Sequence, residues 1–132
     1  MIVGVVIVTH GSLASALLGT VELIMGKQQQ VKAVAFESGQ AVSDLQTRIE
    51  EAVTQVDSGH GALILVDILG GSPYNAAAIV VMEQENVEMV TGVNVPMLFE
   101  VLPVRTGKLS SVVEVALGGG QDGIAKFVMN RK

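Results

Sequence analysis

His10 and Asp67 are the two residues whose types and positions could carry out chemistry together. Each comes at the end of a short, β-branched, apolar run, at residues 2–8 and 62–66. A carboxylate that accepts the N–H of one imidazole nitrogen fixes the tautomer and leaves the other nitrogen as a nucleophile. It also stabilises the positive charge that develops on the ring during attack. Phosphorus is the electrophile that such a histidine attacks most usefully, so the pair predicts phosphoryl transfer.

Two turns rich in glycine and serine follow these residues, and each precedes a predicted helix. One comes directly after His10 and the other shortly after Asp67. Helix N-termini offer free N–H groups and the positive end of the helix dipole to an anion. The turns therefore predict four phosphate-contacting residues, which are Gly11, Ser12, Gly71 and Ser72. The hydroxyl of either serine could instead be the nucleophile of a catalytic triad.

The rest of the chain alternates between two periodicities. Apolar runs at residues 2–8 and 62–66 predict strands covered on both faces. Residues 31–36 predict a shorter strand with Lys32 at a likely edge, and residues 87–91 predict a fourth strand. Helical spacing predicts helices from residue 13 to residue 26, from 40 or 43 to 56, and at 74–83, 96–104 and 109–117. A flexible glycine break is predicted at 118–120, and a final strand or helical tail at 124–129. This order predicts a single α/β domain over residues 1–132, with one doubly wound, mainly parallel sheet and helices on both faces.

That fold explains how residues distant in sequence could form one site. Ligands of open doubly wound sheets bind beyond the carboxyl ends of the strands, where the direction of winding reverses. If the first strand is central, with the second on one side and the third on the other, the loops after the first and third face each other. His10 and Asp67 lie in those loops. We therefore expect them to be neighbours in one crevice.

Composition excludes several classes of protein. Of 132 residues, 49% are hydrophobic and 16% charged, which is typical of a folded domain rather than a disordered chain. The net charge of −5 and the 3% of aromatic residues argue against a nucleic-acid partner. The absence of cysteine excludes thiol nucleophiles and cysteine-ligated metals. With no signal peptide or apolar segment of about 20 residues, a cytoplasmic protein is expected.

Three motifs in one order resemble a known family. They are residues 5–11 (VVIVTHG), residues 66–67 with 70–75 (VD and GGSPYN), and residues 92–97 (GVNVPM). Together they resemble enzyme IIA of the mannose family of the phosphoenolpyruvate-dependent sugar phosphotransferase system. The resemblance implies that His10 takes a phosphoryl group from phospho-HPr and passes it to a histidine of enzyme IIB. It also implies that Asp67 pairs with the other ring nitrogen, and that Ser72 and the backbone after His10 contact the phosphate.

The same resemblance implies how the protein assembles. Members of the family are homodimers that exchange a C-terminal strand, a role that residues 124–129 would fill here. Because the chain stops at Lys132, enzyme IIB is expected to be a separate polypeptide. Contact with the membrane would be indirect, through the enzyme IIC/IID complex, which also selects the sugar. No metal and no organic cofactor is implied.

Other functions fit the sequence less well. A phosphocarrier subunit of a dihydroxyacetone kinase shares the chemistry, and a non-enzymatic regulatory relative shares the fold, so both remain alternatives. A chelatase would need a second histidine at the crevice, whereas His60 is predicted at the opposite end of the sheet. A histidine phosphatase would need an arginine where Thr9 stands.

Overall fold

A four-stranded parallel sheet forms the centre of the computed structural model, which describes residues 1–129. The strands are β1 (Gly4–His10), β2 (Val31–Phe36), β3 (Ala62–Val66) and β4 (Val87–Thr91), and their order is β2-β1-β3-β4. The predicted central place of β1 between β2 and β3 is therefore confirmed. Val8 of β1 pairs with Val66 of β3. This register brings the carboxyl ends of β1 and β3 side by side.

Five α-helices cover the two faces of the sheet, as the strand patterns predict. They are α1 (Leu13–Met25), α2 (Val42–Val56), α3 (Ser72–Glu83), α4 (Val95–Val101) and α5 (Leu109–Asp122). Val5 and Ile7 of β1 belong to the core cluster shared with α1, α4 and α5, whereas Val6 and Val8 belong to the cluster shared with α2 and α3. Because successive side chains of a strand point to opposite faces, one apolar run supplies both cores.

The predicted helix at 96–104 is divided into two parts. After α4 the chain tightens into a 3-10 turn at Leu102–Val104. Pro103 has no N–H to donate to the carbonyl four residues earlier, so a regular α-helix cannot continue through it. At the other end, the side chain of Asn94 accepts the N–H of Met97 at 2.8 Å and caps α4. The interpretation of residues 94–96 as a helix start is confirmed.

The prediction of a flexible glycine break at 118–120 is wrong. These glycines lie inside α5, which continues to Asp122. A Cβ on Gly119 would lie 2.7 Å from Cβ of Glu100, and one on Gly120 would lie 2.8 Å from Cε of Met97. The glycines therefore allow α5 to approach α4 closely. Residues 124–129 form neither the predicted strand nor a helix in the single chain, and their side chains are exposed.

Two neighbouring glycines of α5 should respond oppositely to alanine. Gly118→Ala places its Cβ in open space and is expected to stabilise the protein by about 0.5–1 kcal/mol, the usual cost of glycine inside a helix. Gly119→Ala is expected to destabilise it by about 1–3 kcal/mol, because the new Cβ meets Glu100 where that side chain joins the backbone. Urea unfolding of both variants measures the change in the free energy of unfolding. Equal effects would contradict the close packing of α4 and α5.

Candidate functional site

His10 and Asp67 are in direct contact at the carboxyl edge of the sheet. Nδ1 of His10 lies 2.8 Å from Oδ2 of Asp67, and the backbone N–H of His10 donates to the same oxygen at 3.0 Å. The other carboxylate oxygen, Oδ1, accepts the N–H of Ile68 at 3.0 Å. Both oxygens of Asp67 are thus hydrogen-bonded. The predicted juxtaposition of the two residues is confirmed.

The electrostatics of the pair favour an ionised Asp67. Burial by itself raises the pKa of this carboxyl, whose side chain is 15% exposed. The hydrogen bonds from the ring and backbone of His10, together with the charge interaction, outweigh burial and hold the pKa of Asp67 below its usual value. An ionised carboxylate can only accept hydrogen bonds. We therefore assign the proton of neutral His10 to Nδ1, which leaves the lone pair on Nε2.

The ring of His10 is fixed on two further sides but remains accessible. Phe36, the last residue of β2, meets it edge to face, with ring centroids 6.1 Å apart and an interplanar angle of 81°. Gly71 lies against its Cε1–Nε2 edge, because a Cβ built there would be 2.9 Å from Cε1 and 3.5 Å from Nε2. The side chain of His10 is nevertheless 50% exposed. The ring that carries the nitrogen left free by Asp67 is therefore accessible from solvent.

The lack of a side chain at Gly71 should matter for this access. Gly71→Ala places a methyl group too close to Cε1 of His10. The ring must then tilt, which disturbs the hydrogen bond between its Nδ1 and Asp67. We expect phosphorylation of His10 to slow by about tenfold or more, since small misplacements of reacting groups are costly. Single-turnover phosphorylation measures the change, with Gly118→Ala, a glycine in open space, as the control. An unchanged rate would show that this edge does not position the ring.

The turn after β1 offers fewer free donors than its sequence suggests. Gly11 has a φ of +56°, a conformation that favours glycine, and its N–H donates to the carbonyl of Phe36 at 2.9 Å. That N–H is already used, although Gly11 was predicted to contact phosphate. The N–H groups of Ser12 and Ser72, at the starts of α1 and α3, have no acceptor among residues 1–129. The phosphate-contacting roles of Gly11, Ser12, Gly71 and Ser72 stay predictions.

Sequence reasoning missed two residues that support the site. Thr9 is fully buried, and its hydroxyl oxygen accepts the N–H of Ala14 in the first turn of α1 at 2.7 Å. Phe36 contributes both its ring against His10 and its carbonyl to Gly11. Thr9 lies three residues before Ser12, the N-cap of α1, so its contact falls outside the N-cap spacing and no sequence signal pointed to it. The role of Phe36 follows from the parallel register of β1 and β2, in which it pairs with His10.

The second histidine lies away from this edge. His60 is exposed in the loop before β3, at the opposite end of the sheet, as predicted. Within the described part of the chain, no group of three or more histidine, cysteine, aspartate or glutamate side chains is arranged to hold a metal ion. Across residues 1–129, no helix has both the length and the apolar character needed to cross a membrane.

Comparison with known proteins decides the family. A family model described as the PTS system fructose IIA component, EIIA-man, matches residues 4–116. The chain belongs to this mannose-type enzyme IIA family of the phosphotransferase system. The expected family, and with it the expectation of a phosphotransferase-system component, is confirmed. These matches do not favour the two alternatives, a dihydroxyacetone kinase subunit and a purely regulatory relative.

Individual relatives give the same result. This enzyme IIA is 37% identical over 126 residues to the PTS system mannose-specific EIIAB component of Escherichia coli (strain K12), covering 94% of this chain and 39% of that protein. It is 39% identical over 103 residues to the PTS system fructose-specific EIIA component of Bacillus subtilis (strain 168), covering 78% and 70%. A crystal structure of phosphotransferase system component EIIA from Streptococcus agalactiae has a TM-score of 0.86 and 26% identity over 94% of this chain and 96% of that one. The chain thus spans well under half the length of the mannose-specific relative.

Proposed function

We propose that this enzyme IIA is a phosphocarrier whose acceptor is Nε2 of His10. The observation that carries the proposal is the contact between Nδ1 of His10 and the carboxylate of Asp67 at 2.8 Å. It orients the ring, favours the proton on Nδ1 and leaves the lone pair of Nε2 as the nucleophile. A histidine oriented in this way is suited to accept a phosphoryl group and to release it again.

The transfer needs no group beyond the donor and the pair itself. The lone pair of Nε2 attacks phosphorus, a new P–N bond forms, and the P–N bond of a phosphohistidine donor breaks with its electrons returning to the donor's ring nitrogen. The proton on Nδ1 stays in the hydrogen bond to Asp67. The carboxylate stabilises the positive charge that the His10 ring acquires. Alignment and charge stabilisation are the main requirements of phosphoryl transfer in general.

The transferred phosphoryl group would lie between two helix N-termini. The N–H groups of Ser12 and Ser72 are the donors that we propose for its oxygens, together with their hydroxyls. Gly71 would allow close approach of the backbone to the ring edge. Helix N-termini favour an anion without adding a fixed positive charge, so the group would be held loosely enough for onward transfer.

We further propose the partners that the family suggests. Phospho-HPr would be the donor and a histidine of enzyme IIB the acceptor. Both must reach the same nitrogen, so they would bind in turn rather than together. Such a relay requires complexes that dissociate quickly, as small interfaces do. The protein would reach the membrane through its partners, the enzyme IIC/IID complex.

A homodimer with exchanged C-terminal strands is also proposed. Among residues 1–129, β4 is an edge strand that pairs with β3 on one side only. Ile124, Phe127 and Val128 are each more than three-quarters exposed, which is unusual for such apolar side chains. Residues 124–129 of a second copy could pair with the free edge of β4 and be covered there. Deletion from residue 124 onward should then convert a dimer into a monomer in sedimentation experiments, whereas an unchanged mass would contradict exchange.

Purified components test the phosphocarrier function. The protein is incubated with phosphoenolpyruvate, enzyme I and HPr, and its intact mass is measured before and after addition of enzyme IIB. We expect the mass of one phosphoryl group to be gained, to be lost in acid and retained in base, and to pass to enzyme IIB. A folded protein that gains no mass would contradict the proposal.

A further inference from the structure

The end of β2 is held by two side chains although it lies at an edge of the sheet. Among residues 1–129, β2 pairs with β1 on one side and with no strand on the other. Nη1 of Arg48, on α2, donates to the carbonyl of Ala35 at 2.8 Å. The side-chain oxygen of Gln40 accepts the N–H of Glu37 at 2.8 Å and a second bond from Nη1 of Arg48 at 3.3 Å. Groups that edge strands normally leave unpaired are therefore bound here.

These contacts lie on both sides of one residue, Phe36. The carbonyl of Ala35 belongs to the peptide group before Phe36, and the N–H of Glu37 belongs to the peptide group after it. The carbonyl of that second group accepts the N–H of Gly11 at 2.9 Å. Because φ and ψ are the only soft angles between two planar peptide groups, holding both groups fixes the backbone of Phe36. The direction of its side chain is then set as well.

The ring of His10 lies between two contacts that come from opposite sides of β1. On the β3 side, Asp67 holds Nδ1 by a hydrogen bond of 2.8 Å. One hydrogen bond leaves a ring free to swing about that contact. On the β2 side, Phe36 meets the ring edge to face, an arrangement that favours one relative orientation of the two rings. The direction in which Nε2 points therefore depends on where Phe36 is held.

Arg48 binds this strand rather than the acidic residues of its own helix. Asp44 lies four residues before it and Glu51 three residues after it, at spacings where ion pairs form on a helix. Within residues 1–129, however, Arg48 forms no ion pair, and it is half-buried. Its hydrogen bonds go to the carbonyl of Ala35 and the amide of Gln40 instead. The side chain therefore supports the end of β2.

We propose that Arg48 is a positioning residue for phosphoryl transfer, an inference that rests on the proposed function. Together with Gln40 it fixes the end of β2, and through Phe36 it fixes the angle at which Nε2 of His10 meets the incoming phosphorus. Among the described residues Arg48 forms no hydrogen bond with His10, so it acts through the strand. Its loss leaves the contact with Asp67 available but widens the range of ring orientations. Transfer slows because it requires close alignment of the reacting atoms.

Substitutions along this series of contacts test the inference. Arg48→Met retains an unbranched aliphatic side chain and removes the hydrogen bonds, and Phe36→Leu removes the aromatic ring. Gln40→Ala removes the amide from the exposed turn after β2, and it provides a second test if Arg48→Met does not fold. Gln55→Met is the matched control, because Gln55 is an exposed residue of α2 beside the same edge of β2.

Two phosphoryl donors are used for each variant and for the double variant Arg48→Met with Phe36→Leu. Single-turnover phosphorylation is followed over a range of phospho-HPr concentrations, which gives the maximal rate and the half-saturating concentration separately. Phosphoramidate, a small donor that needs no docking surface, is used in parallel. Urea unfolding measures the stability of each protein.

We expect Arg48→Met and Gln40→Ala to lower the maximal rate by about three- to tenfold with both donors, and Phe36→Leu by about tenfold or more. The half-saturating concentration of phospho-HPr should not change. Because Arg48 acts through Phe36, the double variant should be at most about twofold slower than Phe36→Leu, whereas independent effects would multiply. Gln55→Met should match the unaltered protein.

The contrary results differ in what they would show. Arg48→Met and Gln40→Ala with unaltered rates, even if less stable in urea, would mean that these residues only stabilise the sheet edge. A loss confined to phospho-HPr would assign them to a docking contact, and effects that multiply would separate Arg48 from Phe36. Each of these results would overturn the inference. If the unaltered protein accepts no phosphoryl group from phospho-HPr, the proposed function itself fails, and the inference fails with it.

Discussion

Replacement of His10 by alanine is expected to abolish phosphoryl acceptance while leaving the protein folded. The side chain is half exposed and lies against Asp67, the ring of Phe36 and Gly71 at the edge of the sheet, so few core contacts are lost. Removing the nucleophile leaves no group with both a free lone pair and an orienting carboxylate at this edge. Incorporation of radiolabelled phosphate from phosphoenolpyruvate through enzyme I and HPr should fall to background, a loss of at least about 10³-fold.

The chain provides a matched control for that variant. His60 is the second of its two histidines and lies exposed at the opposite end of the sheet. His60→Ala should incorporate label at the rate of the unaltered protein. Circular dichroism and unfolding curves establish that both variants are folded. Label that persists in His10→Ala, or disappears in His60→Ala, would place the acceptor elsewhere.

Asp67→Asn is expected to have the second largest effect on the rate of phosphoryl transfer, although it only replaces one carboxylate oxygen by an NH₂ group. Oδ2 of Asp67 accepts from the ring and the backbone N–H of His10, and Oδ1 accepts from the N–H of Ile68. An amide has one oxygen and one NH₂ group, so in either orientation an NH₂ group faces a donor. If it faces His10, it favours the tautomer with the proton on Nε2, which removes the nucleophilic lone pair. Single-turnover transfer should slow by about 10²–10⁴-fold.

The same substitution should reduce stability in a pH-dependent manner. Because the pKa of Asp67 is lowered in the folded protein, its ionised form stabilises the fold above the unfolded pKa of about 3.9. This contribution is lost as the pH falls through the lower, folded pKa. Urea unfolding should therefore show Asp67→Asn less stable than the unaltered protein by about 1–3 kcal/mol at pH 7, with the difference narrowing below about pH 4. A difference independent of pH would contradict the role of the ionised carboxylate.

The sequence was sufficient to predict the sheet and the contact at its edge. Strands buried on both faces are recognisable as unbroken apolar runs, and the chirality of crossover connections restricts the topology. Together they place β1 between β2 and β3 and bring Asp67 to His10. The interpretation of the residues after each strand as site residues followed from the fold class, since ligands bind at that edge.

The features that could not be predicted from the sequence depend on how closely helices and strands pack against each other. Glycines 118–120 have the composition of a flexible linker, and only the nearness of Glu100 and Met97 on α4 explains why they continue α5. The N–H of Gly11 was assigned to phosphate because its acceptor, the carbonyl of Phe36, is distant in sequence. Similarly, residues 124–129 were predicted to form a strand or a helical tail, but a strand requires a paired neighbour, and among the described residues they pair with none.

The central claim is that Nε2 of His10 carries the phosphoryl group while Nδ1 keeps its proton in the hydrogen bond to Asp67. Nuclear magnetic resonance of the ¹⁵N-labelled protein, phosphorylated through phospho-HPr, tests it directly. We predict phosphorus coupling to Nε2 of His10 and a protonated Nδ1 whose signal is that of a strong hydrogen bond. Phosphorus coupled to Nδ1, or attached to a serine hydroxyl such as that of Ser12 or Ser72, would contradict the account.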